Sequence, residues 1–286
     1  MLKTLFHSFR RGDWYLFINI VLLMIFGLAA LYSLQIKAAS PDFTLFYRQL
    51  TLAIFGLAIF FIFSLVDYHL WADYYKIILI ISVLLLVGVL FKGVKLGGST
   101  GWYIVFGQSF QPVELAKIAL IIFLGRYFSQ HARDFMLTKH LLISGLVSAL
   151  LIALLIIQPD LGSAMILFFI WLALALFLPL PRSYLLKIFL GIIILALASW
   201  FLVLQDYQKE RILTFLNPAA DPLDAGYNVQ QSIVAVGAGR LIGRGLTSGS
   251  QSQLNFLPTQ ETDFIFAVIA EELGLVGAGI LLLLFL

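Results

Sequence analysis

The chain has 286 residues, of which 62% are hydrophobic and 12% are charged, and its mean hydropathy is +1.02. Soluble domains carry about 25% charged residues, so this composition excludes a soluble globular protein and predicts one that crosses a membrane several times. The chain has no cysteine, which excludes disulfides, thiol nucleophiles and Cys-ligated zinc. Its net charge of +3 comes without the long basic stripe that would indicate nucleic-acid binding.

Eight apolar runs come close to the roughly 20 residues that a helix needs to span a bilayer. They predict an all-α polytopic membrane protein with eight transmembrane helices. The predicted spans are Trp14–Ile36, Tyr47–Val66, Ile77–Phe91, Pro112–Phe128, Leu141–Ile157, Leu161–Leu180, Tyr184–Leu204 and Asp263–Leu286.

Basic residues set the predicted orientation of these spans. Lys3, Arg10 and Arg11 precede the first span, which predicts an uncleaved anchor with a cytoplasmic N-terminus. Alternation then places residues 205–262, between spans seven and eight, outside the cytoplasm as the one long loop. The apolar content of this loop argues against disorder. Within it, Asn228–Leu241 is predicted to form a helix or a re-entrant segment at the outer leaflet.

The outer loop between spans three and four combines glycines with aromatic residues, in the sequence KGVKLGGSTGWYIVFGQSF. Its glycines predict a flexible loop. Trp102 is the candidate functional residue here. Two interpretations remain open for this side chain: it stacks on a sugar ring, or it anchors the loop at the membrane interface, where Trp and Tyr are enriched.

Spans four and six both begin with Gln-Pro and carry charge near that end. In QPVELAK, Glu114 and Lys117 are three residues apart and are therefore neighbours on one helix face. Charged residues in a span pair or face a wet cavity, so structural pairing and a catalytic role both stay open. In QPDLGSA, Asp160 lies at the helix start. With Asp263, three helices that begin outside open with a carboxylate, and such positive helix ends favour an anionic ligand.

Three arginines of the long outer loop are candidates for binding phosphate. Arg240 and Arg244 lie in the glycine-rich run GAGRLIGRGL, and Arg211 lies in RILTFLNP. Glycines expose backbone N–H groups that can cradle a phosphate, and a helix through this run would bring Arg240 and Arg244 to one face. The alternative interpretation is a basic patch that rests on anionic lipid headgroups.

Asp263 opens the eighth span and is the main candidate for a catalytic residue, because a carboxylate at the entry of an apolar helix is costly unless function or pairing compensates. It shares one side of the predicted helix with Ala267, Ala270, Gly274 and Gly277. This stripe of small residues predicts close packing against protein. Capping of the helix by Asp263 is the alternative role, and the two roles are compatible.

Together, these residues predict an outer side with carboxylates, arginines and aromatic rings, and without cysteine or histidine. This set suits the transfer of a sugar from a lipid phosphate, in which a carboxylate takes the proton of a sugar hydroxyl and cations stabilise the departing diphosphate. The four histidines lie at no metal-ligand spacing, so no metal site is predicted from the residues.

The runs QPVELAKIALIIFLGRYFS, QPDLGSAMILFFIWLALALF, RILTFLNPAADPLDAGYNVQQS and SQLNFLPTQETDFIFAVIAEELG resemble the SEDS family (shape, elongation, division and sporulation) over most of the chain. The resemblance implies a peptidoglycan glycosyltransferase of the bacterial cytoplasmic membrane that polymerises lipid II at the outer face for cell elongation and shape. It also implies a class B penicillin-binding transpeptidase as partner. Asp263, in the TDF triplet, falls on the residue proposed to deprotonate the GlcNAc 4-hydroxyl, which attacks MurNAc C1 with inversion and expels undecaprenyl diphosphate. Glu114, Lys117 and Trp102 fall on other functional positions of the family.

The chain departs from the family pattern in three places. Gly101 stands where relatives usually carry Arg, just before the loop Trp. Thr259 and Glu261 stand where relatives usually carry an acidic residue and His. The chain ends at Leu286 inside its eighth predicted span, whereas the family fold has ten helices. We therefore expect one transmembrane domain over residues 1–286 that is truncated at its C-terminus.

Two other functions fit the same residues. A lipid II flippase would also carry charges inside the membrane, although inverted repeats would be expected in it. A non-catalytic scaffold would recruit cell-wall enzymes. For the transferase, a divalent cation shared between carboxylates and the diphosphate is chemically reasonable. Membrane lipids are the remaining expected partners.

Overall fold

The computed structural model describes residues 13–36, 42–96, 98–105, 107–131, 137–178, 180–217, 225–254 and 256–286. This part of the chain is mostly helical, which confirms the all-α class. In chain order the elements are α1 (Trp14–Ile36), α2 (Thr44–Ser64), α3 (Tyr68–Asp73), α4 (Tyr75–Lys92), β1 (Val94–Leu96), β2 (Ser99–Val105), β3 (Gln108–Phe110), α5 (Pro112–His131), α6 (Leu137–Ile157), α7 (Leu161–Leu176), α8 (Arg182–Ala198) with a π-helical turn (Ser199–Val203), α9 (Asp206–Leu216), α10 (Ala225–Ala238), α11 (Ser250–Gln253) and α12 (Ile265–Phe285).

A helix occupies each of the eight runs that are predicted to span a membrane. Among the described residues, six of these helices are long and apolar enough to cross a bilayer, and the chain is a multi-pass membrane protein. α7 is shorter, with 16 residues, and α5 carries the charged residues Glu114, Lys117 and Arg126. The number of eight spans therefore stays a prediction. The six helices are α1, α2, α4, residues 139–157 of α6, α8 with its π-helical turn to residue 202, and α12.

The prediction of a flexible loop between the third and fourth predicted spans needs a correction, because this segment forms regular strands. It forms a three-stranded antiparallel sheet in the order β1-β2-β3, in which Val94 lies opposite Trp102. The run WYIV in β2 consists of aromatic and β-branched residues, which favour strands. Gly98 and Gly107 lie between the strands with φ of 89° and 76°, a left-handed conformation that glycine adopts without steric cost. The glycines thus form turns and not a flexible loop.

The chain divides into two compact units, and each is described by itself. The first comprises Met1–Leu65 and Leu197–Leu286. In this unit α12 packs against α1 and α10. Asn228–Leu241, predicted to be helical or re-entrant, corresponds to most of α10 and the turn that follows it. The buried apolar residues of the unit include Ala30, Leu34, Ala235, Leu257, Ala267, Val268 and Ile269.

The second unit comprises Val66–Ala196. Its centre is α5, which packs against α4, α6 and α7, while β2 lies against α4 and α5. Because lipid tails are as apolar as leucine, close packing and not transfer from water holds such helices together. The single domain over residues 1–286 stays a prediction. Six leucines are fully buried between the helices, namely Leu86, Leu120, Leu124, Leu151, Leu155 and Leu167.

Candidate functional site

Asp263 lies in a turn just before α12, and its side chain is exposed. Its carboxylate makes no hydrogen bond or ion pair with any residue that the structure describes. The helix begins at Ile265 with Phe264 as N-cap and no side-chain cap, so the predicted start at Asp263 is too early. A turn in which Phe264 N–H donates to Thr259 O at 3.4 Å precedes the helix. The capping role of Asp263 is not observed.

The predicted stripe of small residues on α12 is confirmed. Ala267, Ala270, Gly274 and Gly277 are all buried, as expected for a membrane helix that packs closely against protein. Asp263 itself is not part of this buried stripe, because it precedes the helix and is exposed.

α12 is broken at Gly274, whose backbone has φ 68° and ψ −168°. In a continuous helix the N–H groups of Leu275 and Val276 would donate to the carbonyls of Glu271 and Glu272. Residues 240–245 take over all four groups. Because unpaired backbone groups are costly in lipid, these hydrogen bonds hold residues 240–245 against α12. The bonds run from Arg244 N–H to Glu271 O at 3.0 Å, Gly245 N–H to Glu272 O at 2.9 Å, Leu275 N–H to Arg240 O at 2.9 Å, and Val276 N–H to Leu241 O at 3.1 Å.

The glycine-rich run fits against α12 because two of its glycines lack a side chain. A Cβ on Gly239 would overlap the carbonyl oxygen of Ala270, and a Cβ on Gly243 would overlap that of Glu272. Gly243 also has a φ of 89°, which other residues adopt only with strain. These glycines therefore serve the close approach of two backbone segments.

The predicted phosphate cradle in this run needs a correction. The N–H groups of Arg244 and Gly245 already donate to carbonyls of α12, so they are not available to a ligand. Residues 239–249 are not helical, and Arg240 and Arg244 therefore do not share a helix face. This packing could not be predicted from the glycine-rich run, because the partner backbone lies about 30 residues further along the chain.

Glu271 and Glu272 are candidate functional residues that the sequence analysis missed. Their side chains are 0% and 1% exposed. The signal was present in the sequence, since two adjacent carboxylates within an apolar span are costly and usually mark function. Glu271 accepts hydrogen bonds from Gln251 N–H at 2.8 Å, Ser252 N–H at 3.0 Å and Ser252 Oγ at 2.9 Å, and Glu272 accepts from Ser33 Oγ of α1 and from Thr247 N–H at 3.0 Å.

The three arginines predicted to bind phosphate lie in the same unit as Asp263, and all are exposed. Their phosphate binding stays a prediction, but their surroundings differ. Arg240 makes no side-chain hydrogen bond or ion pair within the described ranges. Arg244 donates from Nε to Ala238 O at 3.1 Å and from a terminal nitrogen to Ser250 Oγ at 2.8 Å. The guanidinium of Arg211 lies 5.9 Å from the centre of the Tyr207 ring.

In the second unit, Glu114 and Lys117 form an ion pair in the first turns of α5, with 2.8 Å between Lys117 Nζ and Glu114 Oε1. This contact confirms the predicted pairing. The Glu114 side chain is 60% exposed and the Lys117 side chain 20%, and ion pairs at a protein surface contribute only about 0 to 1 kcal/mol to stability. Pairing alone therefore explains little of why charge is placed here, and a supporting role in catalysis stays a prediction.

Asp160 is the N-cap of α7. Its carboxylate accepts hydrogen bonds from Ser163 N–H at 3.0 Å, Ser163 Oγ at 2.8 Å and Gln111 Nε2 at 3.0 Å. Both oxygens of the carboxylate are used, and they join the start of α7 to the residue that precedes α5. Asp160 therefore has a structural task in the second unit.

Removal of this cap should destabilise the protein measurably. We expect Asp160→Ala to lower the free energy of unfolding by about 1 kcal/mol. Asp160→Asn should cost less, because an amide oxygen can still accept the bond from Ser163 N–H. Thermal unfolding in detergent micelles checks this order, and an alanine variant as stable as the wild type would contradict the capping role.

Trp102 is half-buried in β2 of the second unit. A Cβ on the preceding Gly101 would lie 3.2 Å from Gln158 Oε1, which leaves no room for a larger side chain without rearrangement. Gln158 is buried and joins the sheet to the helices. Its side-chain Nε2 donates to Leu86 O at 3.0 Å, and its backbone carbonyl accepts from Thr100 N–H at 3.3 Å. Trp102 thus lies on a strand that hydrogen bonds through Gln158 hold against the helices. Its sugar-stacking role stays a prediction.

Comparisons with known proteins place these sites in a family. The profile of the FtsW/RodA/SpoVE family, described as "Cell cycle protein", matches residues 13–286. The Escherichia coli K12 protein named peptidoglycan glycosyltransferase MrdB is 36% identical over 277 residues, which cover 93% of this chain and 72% of the relative. Stage V sporulation protein E of Bacillus subtilis is 37% identical over 285 residues, which cover 96% of this chain and 76% of the relative.

Two solved structures have the same fold. One is a chain of a structure described as "Structural coordination of polymerization and crosslinking by a peptidoglycan synthase complex". Its TM-score is 0.76 and its identity 29%, and the match covers 96% of this chain and 74% of that chain. The other is the rod shape determining protein RodA of Thermus thermophilus, with a TM-score of 0.63, 25% identity, and coverage of 96% and 71%. The chain therefore belongs to the FtsW/RodA/SpoVE family, which confirms the SEDS resemblance.

Proposed function

We propose that the chain is a peptidoglycan glycosyltransferase of the bacterial cytoplasmic membrane, which polymerises lipid II at the outer face for cell elongation and shape. Membership of the FtsW/RodA/SpoVE family supports this proposal, as does the similarity to the protein named peptidoglycan glycosyltransferase MrdB. The observation that carries the proposal is the exposed carboxylate of Asp263, which precedes α12 and has no bonding partner among the described residues.

In this proposal Asp263 is the general base. Its carboxylate takes the proton of the acceptor's GlcNAc 4-hydroxyl while the hydroxyl oxygen attacks C1 of the donor MurNAc. The new C–O bond forms as the bond between C1 and the diphosphate oxygen breaks, and undecaprenyl diphosphate leaves with the bonding electrons. Attack opposite the leaving group inverts the anomeric centre in one step.

The remaining candidate residues are proposed to bind substrate or to support the site. Fixed cations stabilise the charge that develops on a departing diphosphate, which is the proposed task of the arginines in the first unit. The proposed supporting residues all belong to the second unit. The arginines are Arg211, Arg240 and Arg244, and the supporting residues are Trp102, Glu114, Lys117 and Asp160.

A class B penicillin-binding transpeptidase is the proposed protein partner. The similarity to a chain of a peptidoglycan synthase complex, described for polymerization and crosslinking, supports this partner. Lipid II, the growing glycan linked to undecaprenyl diphosphate, and membrane lipids are the other proposed partners.

A divalent cation stays a proposed cofactor. Within the described ranges, no group of three or more His, Cys, Asp or Glu side chains is arranged to hold a metal ion. The buried carboxylates of Glu271 and Glu272 already accept hydrogen bonds. The described residues of either unit thus do not provide such a metal site by themselves.

Turnover of lipid II by the purified protein in a bilayer tests the proposal. We expect glycan strands to form, with one undecaprenyl diphosphate released for each glycosidic bond. A flippase would move lipid II between leaflets without consuming it, and a scaffold would do neither. Lipid II that remains intact after incubation would contradict the proposed function.

A further inference from the structure

The break in α12 and the two carboxylates beside it hold one loop segment in place. We refer to Glu271, Glu272 and Gly274 as the α12 seat, and to residues 239–253 as the seated segment. The backbone of the segment bonds to both sides of the break, and Glu271 accepts three hydrogen bonds from the start of α11. The segment cannot leave α12 without exposing four backbone groups and a buried carboxylate, which is costly in a membrane.

Glu272 joins the seated segment to α1. Its Oε1 accepts Thr247 N–H at 3.0 Å and the hydroxyl of Ser33, and Thr247 N–H also lies 2.9 Å from Ser33 Oγ. Gln253 Nε2 donates to the carbonyl of Ser33 at 3.0 Å. α1, α12 and the seated segment therefore meet in one buried polar junction. Both carboxylates of the seat are engaged in holding the segment.

The seat fixes the backbones of two arginines but leaves only one guanidinium free. Arg240 O accepts from Leu275 N–H at 2.9 Å, and Arg244 N–H donates to Glu271 O at 3.0 Å. The guanidinium of Arg244 donates to Ala238 O and Ser250 Oγ, at the two ends of the loop that carries it. The guanidinium of Arg240 is exposed and has no partner within the described part of the chain. Because the backbone of Arg240 is already fixed, binding of an anion there does not have to order the loop.

Arg240 also has an unusual backbone conformation. Its φ is 52°, in the left-handed region where glycine is less strained than any residue with a Cβ. The surrounding run already uses glycine at positions 239, 243 and 245. Arginine at this position therefore has a conformational cost that glycine would not have.

We propose that the α12 seat holds Arg240 as the cation that binds the diphosphate of the lipid-linked sugar, with Glu271, Glu272 and Arg244 as positioning residues. This inference rests on the proposed function, because the proposed function supplies the class of ligand. Of the arginines proposed to bind the diphosphate, Arg240 is thus assigned the contact, and Arg244 is reassigned to shaping the segment that carries Arg240.

The position of the seat along α12 suits this ligand. Leu275, which bonds to Arg240, follows Ile265 by about ten residues or ~15 Å of helix. Asp263 lies at the other end of this distance, just before the helix. In this proposal the donor has its sugar at Asp263 and its lipid tail in the bilayer, so that its diphosphate lies between these two levels.

Binding of undecaprenyl diphosphate to the protein in nanodiscs tests the inference. Loss of a charge-assisted contact in Arg240→Gln should raise the Kd about 10- to 100-fold, and Arg240→Lys should raise it less. Glu272→Leu removes the acceptor of Thr247 and Ser33 and should raise the Kd to a similar extent. Glu272→Gln keeps an acceptor oxygen and should bind nearly as well as the wild type.

The double variant shows whether Glu272 acts through Arg240. We expect Arg240→Gln to add little to the effect of Glu272→Leu, because both remove the same contact. Additive effects, or an unchanged Kd in a folded Glu272→Leu protein, would overturn the positioning role. If Glu272→Leu does not fold, Ser33→Ala is used instead of it, alone and combined with Arg240→Gln. Ser33→Ala removes one hydrogen-bond donor to Glu272.

Phospholipid headgroups also carry phosphate, so the lipid composition of the nanodiscs distinguishes the two sources. The effect of Arg240→Gln should be the same with and without phosphatidylglycerol. No effect, or an effect confined to phosphatidylglycerol, would overturn the inference. The measurement needs no turnover, so a protein that polymerises lipid II but whose Kd is unchanged by Arg240→Gln refutes the inference alone. Arg240-dependent binding by a protein that consumes no lipid II refutes the proposed function alone.

Discussion

Replacing Asp263 by asparagine is expected to lower the rate of lipid II polymerisation by about 10²- to 10⁴-fold, the usual contribution of a general base. Asparagine has nearly the same shape but cannot take the proton of the acceptor hydroxyl. Asp263 makes no hydrogen bond to the described residues and caps no helix, so the substitution should leave the fold and the Kd for lipid II unchanged. Initial rates of glycan formation, measured beside lipid II binding, check this result.

Glu261 provides the matched control for this experiment. It is an exposed carboxylate in the same turn as Asp263, and Glu261→Gln removes the same charge without removing the proposed base. We expect its rate to stay close to that of the wild type. Asp263→Asn at the wild-type rate would remove Asp263 from catalysis, and an equal loss in Glu261→Gln would show that the charge of the turn matters and not a base.

The second large effect is expected from Gly243→Ala, which adds a Cβ where the seated segment meets α12. Gly243 has a φ of 89°, and the Cβ would overlap the carbonyl oxygen of Glu272. The left-handed conformation costs about 1–2 kcal/mol, and overpacking against a fixed neighbour costs roughly 1–3 kcal/mol. We therefore expect the free energy of unfolding to fall by roughly 2–5 kcal/mol, as measured by thermal unfolding in detergent micelles.

Two nearby glycines separate the steric effect from the conformational one. Gly245 has a φ of 93° but open space around a Cβ, so Gly245→Ala should cost only about 1–2 kcal/mol. Gly237 lies in α10 with open space and ordinary helical backbone, so Gly237→Ala should be neutral or stabilising by up to about 1 kcal/mol. Equal destabilisation by all three alanines would contradict the packing of the segment into the break.

Features that depend on neighbours in the sequence could be predicted. The limits of α1 follow from one apolar run, and the structure has them at the predicted Trp14 and Ile36. The Glu114–Lys117 pair follows from helical spacing alone. The buried stripe on α12 also follows from helical periodicity. In each case the residues that determine the feature lie within a few turns of one helix.

Features that depend on distant residues could not be predicted in the same way. The glycine-rich run resembles a phosphate cradle until its partner is known, and that partner is the broken backbone near Gly274. Glu271 and Glu272 stand out in the sequence as two carboxylates in an apolar run, but their hydrogen-bond donors come from the seated segment and from Ser33 of α1, which the sequence does not show. The β-sheet was missed because the glycines between its strands resemble those of an irregular loop.

Rapid-quench analysis of one turnover tests most directly whether Asp263 is the base of a one-step displacement. Released undecaprenyl diphosphate and new glycosidic bonds are counted in the same samples, for the wild type and for Asp263→Asn. Because one step breaks one bond and forms the other, we predict that both products rise together in the wild type and are slowed together in the variant. A burst of diphosphate ahead of bond formation would reveal a covalent intermediate and contradict the account, as would a variant that reacts at the wild-type rate.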